Sequence, residues 1–136
     1  MHRFSHAPVA GALLLLAAGC AQLPQPQRAD ALAVHTAIRT AADQVKRCYR
    51  SPKVASAGKQ ISTRLRVRLA PDGTLAGLPQ LVAQSGVTPL NQPYAPRMAE
   101  AASLAVIRCA PLRLPAELYR TGWSELDLTF SPRAMA

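Results

Sequence analysis

The sequence predicts a two-layer α+β domain with elements in the order αββαβ, in which two helices cover one face of a three-stranded antiparallel sheet. Three observations predict it. Residues 61–69 and 123–130 alternate apolar and polar side chains with the period of a half-buried strand. Residues 31–48 and 93–109 space their apolar positions three and four apart and are closed by proline, as helices are. Pro71-Asp72-Gly73 is a turn signal that sends the chain back as a second, weaker strand. At 136 residues the chain has room for one domain.

The N-terminus has its own logic. Arg3 with His2 and His6 makes a short positive start, and Ala7 to Ala18 is apolar. A stretch of about a dozen residues is too short to span a bilayer core of roughly 30 Å, so residues 1–19 read as a signal peptide. Its end, Ala17-Ala18-Gly19-Cys20, resembles the lipobox of bacterial lipoproteins, in which the cysteine is lipidated and becomes the mature N-terminus. Cys20 is therefore the expected lipidation site. Ala21 carries no aspartate-type retention signal, which addresses the protein to the periplasmic face of the outer membrane. The alternative is ordinary cleavage near Ala18 or Ala21, with Cys20 incidental and the product a soluble periplasmic protein. Residues 20–29, with Leu23-Pro24-Gln25-Pro26-Gln27, read as a short extended tether, and residues 30–136 as the domain.

Asp30 is the expected N-cap of the first helix, with Leu32, His35, Ile38, Ala42, Val45 and Tyr49 as its buried stripe. His35 reads as a half-buried core histidine, since no second His or carboxylate stands at metal-ligand spacing. In the first strand Ile61, Thr63, Leu65, Val67 and Leu69 share one face, and Ser62, Arg64, Arg66 and Arg68 the other. The returning segment, Thr74 to Ser85, is interrupted by proline and belongs at a sheet edge. Tyr94, Met98, Ala101, Ala102, Ala105 and Cys109 form the stripe of the second helix. In the last strand Leu126, Leu128 and Phe130 point inward, and Glu125, Asp127 and Thr129 outward. A helix between the second and third strands brings the third back parallel to the second. In an antiparallel sheet the third must then pair with the first, giving the order 2-1-3. Charge agrees: Glu125 and Asp127 would face the arginine row, each opposite pair contributing roughly 0.2–1 kcal/mol.

Cys48 and Cys109 fall at the C-terminal ends of the two helices, on the same side of that sheet. In an exported protein they are expected to form a disulfide. It closes a loop of about 60 residues and stabilises by roughly 4 kcal/mol in the chain-entropy model. Two lone cysteines do not make a zinc site, and the pair lacks the Cys-x-x-Cys spacing of a redox centre. The formal charge is +9, and only Arg3 among the 16 Lys and Arg precedes Cys20, so export leaves 15 against seven Asp and Glu. Such a balance favours anionic partners. Export removes nucleic acid from among them, and no aromatic-studded basic strand is present to stack bases.

Four blocks carry a family resemblance: Val45-Lys46-Arg47-Cys48-Tyr49-Arg50-Ser51-Pro52; Leu65-Arg66-Val67-Arg68-Leu69-Ala70-Pro71-Asp72-Gly73-Thr74; Ala105-Val106-Ile107-Arg108-Cys109-Ala110-Pro111 with Leu114-Pro115; and Trp123 followed by Leu126-Asp127-Leu128-Thr129-Phe130-Ser131-Pro132. Over about residues 32–135 they resemble the C-terminal domain of TolA, within the wider TonB/TolA C-terminal fold. The resemblance implies a domain with no catalytic centre and no cofactor. Members of the family grip periplasmic partners: Pal, TolB, colicins or phage coat domains for TolA, and a receptor peptide for TonB. Strand addition at a sheet edge is one of their modes. Carried over by position, the third strand, Ser124, Glu125, Leu126, Asp127, Leu128, Thr129 and Phe130, is the expected partner-binding edge. TolA and TonB also carry a spanning helix and a long spacer. Here about ten residues separate the exported N-terminus from the domain, so the expectation extends to partner binding and not to coupling with an ion-driven motor.

Three functions follow for comparison. The first is a non-enzymatic envelope module that docks a periplasmic or outer-membrane protein of the Pal or TolB kind, in Tol-Pal-type envelope integrity or transport. The second is a structural lipoprotein whose basic face rests on anionic lipid or lipopolysaccharide. The third, an exported hydrolase, fails on motifs: Gly-x-Ser-x-Gly and His-Glu-x-x-His are absent, and the nearest carboxylate pair, Glu125 and Asp127, is matched by arginines.

Overall fold

Strict alternation in Ser62–Arg68 builds β1, whose inward residues Thr63, Leu65 and Val67 are buried and whose three arginines are exposed. These coordinates are a computed structural model that describes residues 19–20 and 25–135. The signal-peptide expectation falls on residues outside that range, Gly19 excepted. The elements are α1 (Gln25–Cys48), β1, β2 (Gln80–Ser85), α2 (Ala95–Cys109), β3 (Glu125–Phe130) and a final turn of helix, α3 (Pro132–Met135). The sheet has the order β2-β1-β3 and both pairings are antiparallel. The predicted αββαβ framework and strand order are those observed.

The helices lie on the apolar face, where one core joins Ala37, Ala41 and Val45 of α1 to Ala102, Ala105 and Val106 of α2. Leu65, Val67, Leu126, Leu128 and Phe130 complete it from the sheet. The disulfide between Cys48 and Cys109 forms as expected and joins the C-terminal ends of the two helices.

Several boundaries and faces differ from the sequence expectation. Helix α1 starts at Gln25, so residues 25–29 are helical where an extended tether was expected, and Asp30 lies inside the helix as an exposed residue instead of capping it. Pro26 does not prevent this, because a first-turn residue has no intrahelical partner for its N–H. The buried stripe of α1 is also rotated. Ala37, Ala41 and Val45 are buried and Ile38 half-buried, while Leu32, His35 and Ala42 are exposed. His35 is thus a surface residue. The second strand is shorter than Thr74–Ser85: before Gln80 it contributes only an isolated bridge between Leu69 and Leu75. Helix α2 begins at Ala95 after a 3-10 turn at Gln92–Tyr94, and β3 at Glu125 after a π-type turn at Tyr119–Trp123.

The segment between α2 and β3 seals the open end of the core. Ala110–Pro111 is a cis peptide, and Leu112 is buried. The Leu112 N–H donates to the carbonyl of Gly73 at 2.8 Å, which docks this segment onto the Pro-Asp-Gly turn. Gly73 is in the left-handed region (φ +83°), and a Cβ there would strike the Leu112 carbonyl oxygen, so glycine is required twice over. Trp123 is buried and its indole N–H donates to the Pro115 carbonyl at 2.6 Å. Tyr119 stacks edge-on against Trp123 and donates its hydroxyl proton to the Leu69 carbonyl.

Candidate partner-binding edge

With β1 central, β2 and β3 are both outer strands. Which backbone groups each one presents follows from two bonds. The Leu69 N–H donates to the Ser124 carbonyl, and the Ala76 N–H to the Arg68 carbonyl. Odd-numbered β1 residues therefore turn their amides toward β3 and even-numbered ones toward β2. In the β1–β3 register Thr63 faces Phe130, Leu65 faces Leu128 and Val67 faces Leu126, so these are the hydrogen-bonded pairs. The amides of Glu125, Asp127 and Thr129 consequently point away from the sheet, where no backbone hydrogen bond reaches them among the described residues.

Six of the seven residues expected to form the edge lie on β3, with two kinds of role. Leu126, Leu128 and Phe130 are buried and hold the strand to the core. Glu125, Asp127 and Thr129 are exposed, and their amides are the ones turned away from the sheet. Ser124 is not part of the strand: its N–H closes the preceding turn on the Tyr119 carbonyl at 3.0 Å.

On the outer face both carboxylates of β3 converge on Arg66. Arg66 makes a two-pronged contact with Asp127, its Nε 2.9 Å from Oδ1 and its Nη2 3.1 Å from Oδ2. Its Nε also lies 3.5 Å from Glu125. Hydrogen bonding by Arg66 holds the Asp127 carboxyl below its ordinary range, and the same bond raises the guanidinium further. The cross-strand pairing expected from the sequence is present, and it fixes the side chain of Asp127 flat on the sheet beside the free edge.

The other edge has a different chemistry, and sequence reasoning missed it. From Gly73 to Pro96 the chain holds no Asp, Glu, Lys or Arg. Within this run Leu78, Leu81, Val82, Val87 and Leu90 are exposed. A shift of register between Arg64 and Leu65 places a bulge in β2, one device by which proteins blunt an outer strand. The signal available in the sequence was the absence of charge, not any motif.

A recess of about 1000 Å³ lies between the first half of α1 and residues 111–118. Leu32, Ala33, Ala37, Leu112, Leu114 and Trp123 supply its apolar walls, and among the described residues its lining contains no His, Cys, Ser or Lys. Among the described residues no group of three or more His, Cys, Asp or Glu is arranged to hold a metal ion. Cys20 is exposed and unpaired. No helix of the described residues is long and apolar enough to cross a membrane.

No protein-family model matches the chain, and no curated protein matches it in sequence. Among solved structures it is similar to TolAIII, determined in solution bound to a peptide derived from the N-terminus of TolB. The identity is 17%, the TM-score 0.46, and the match covers 71% of this chain and 73% of that one. A likeness of this degree carries no functional conclusion.

Proposed function

We propose that this protein is a non-enzymatic module of the cell envelope, held by a lipid on Cys20 at the periplasmic face of the outer membrane, that docks an extended segment of a periplasmic or outer-membrane protein along β3. The observation that supports the reading is the row of outward-facing amides at Glu125, Asp127 and Thr129 on a strand fixed to the core by Leu126, Leu128 and Phe130. An added strand would complete those bonds, and the flanking carboxylates would bias selection by side chain. The four sequence blocks that resemble the C-terminal domain of TolA support the same reading, with a Pal- or TolB-like partner in Tol-Pal-type envelope maintenance.

The experiment is recovery of envelope proteins on the immobilised chain, comparing wild type with Thr129→Pro. The outward N–H of Thr129 is absent from the β1–β3 ladder, so the proline removes an edge donor while leaving the ladder intact. Partner recovery is expected to fall at least about tenfold, while Leu81→Lys on the opposite edge retains it. Unchanged recovery by a folded Thr129→Pro chain removes the mechanism.

A further inference from the structure

Beyond the edge strand, the described surface carries a cluster of four cations with a single acid among them. The segment after α1 and the flank of α2 enclose a hollow of about 360 Å³. Arg50 and Lys53 stand on one side, and Arg97 and Arg108 on the other. Arg97, Ala101, Leu104 and Arg108 follow one another at helical spacing, so a single face of α2 supplies two cations and an apolar middle. Glu100 is the sole acid in the lining. None of the four cations makes a hydrogen bond or an ion pair among the described residues. In the arginine row of β1, by contrast, Arg66 is held by Asp127 and Glu125.

We propose that this hollow is a binding site for the phosphate headgroups of an anionic phospholipid surface. Long basic side chains over an apolar floor are the composition of a membrane-interface site: the stems lie along hydrocarbon while the heads meet phosphate. Pro52, Ala101 and Leu104 form that floor, and Ile107 is exposed on the next turn of α2. A free phosphate would make no use of it. A single carboxylate on a protein partner is satisfied by one two-pronged arginine. Four cations spread around the hollow with no bonds of their own suit a layer of several mobile headgroups. The site is independent of the proposed edge docking, because the hollow lies between the flank of α2 and the segment after α1 and no β3 residue lines it.

The test is lipid partitioning of the full chain carrying Cys20→Ser, so that no acyl group dominates binding. Vesicles of phosphatidylcholine alone are compared with vesicles in which one lipid in four is phosphatidylglycerol. Taking the ratio of the two partition coefficients cancels any apolar insertion by the N-terminus. The parent chain is expected to prefer the anionic vesicles by at least about tenfold at low salt, and Arg97→Glu with Arg108→Glu to bring the ratio near one. Arg39→Glu with Arg64→Glu makes the same change in net charge outside the hollow and is expected to leave most of the preference. Equal loss in both double variants overturns the assignment, because net charge alone is then being read. No preference for anionic vesicles also overturns it. Binding of a poly-glutamate peptide through the hollow without vesicle preference would assign the surface to an acidic protein instead.

Discussion

At the scale of single residues, the side chains that decide most are polar and fasten loops. Asn91 is buried; its amide donates to the carbonyls of Ala57 and Gly86, and its side-chain oxygen accepts the Thr88 N–H at 2.7 Å. One side chain thereby ties the approach to β1 to the loop before α2. Asn91→Ala leaves those groups without partners and is expected to cost about 1–3 kcal/mol in urea unfolding. Gln44 does similar service for the segment after α2, donating to the Arg113 carbonyl and accepting its N–H, as a neighbouring strand would. Asp127 gives a pH signature. Its folded pKa is depressed by Arg66, so the stabilisation is fully present above the unfolded carboxyl value of about 3.9 and is lost as pH falls through the lower folded one. Thermal midpoints between pH 6 and pH 2 are expected to drop less steeply in Asp127→Asn than in wild type. A parallel slope for the two would show that other carboxylates carry the effect.

At the scale of elements, strands were more legible than helices, for a physical reason. In β1 and β3 the contrast between neighbours is large, Arg against Leu or Val and Asp against Leu, so period and face read directly. In α1 the buried positions are mostly alanine, and alanines also stand on its exposed side, as at Ala42. Leu32 and His35 look like better core candidates and are exposed. Packing alanines lets α1 and α2 approach the sheet and each other closely, and composition alone does not report that. The Tyr119–Trp123 turn has no period to detect, so Trp123 was assigned to the strand it precedes. The candidate edge was legible as a strand, but which of its amides face outward required the register. Two predictions belong here. Ala105, fully buried where the helices meet the sheet, should tolerate nothing larger: Ala105→Leu is expected to destabilise by about 1–3 kcal/mol. Replacing Cys48 and Cys109 by serine releases a loop of sequence separation 61 and should remove roughly 4 kcal/mol, read as a lower urea midpoint.

At the scale of the whole molecule, charge and architecture are segregated. The sheet face carries two acids gathered on Arg66, the β2 edge carries no charge, and the hollow beside α2 carries unpaired cations. Intact mass from cell membranes, with and without reduction, tests the envelope reading at this scale. A chain beginning at Cys20 with lipid mass is expected, with a gain of two hydrogens on reduction; an unlipidated chain retaining residues 1–19 removes the compartment. The cross-link has a further consequence, mechanical in kind. Tension applied at the N-terminus runs along α1 to Cys48, crosses the sulfurs to Cys109 and continues toward β3. The covalent path therefore bypasses everything between, including β1, β2 and nearly all of α2. Stretched from its two ends, the oxidised protein would keep about 200 Å of contour length locked away, and the reduced protein would release it. A partner pulling on β3 against an anchored Cys20 would thus load the joint between the helices while the centre of the sheet stays slack in the chain.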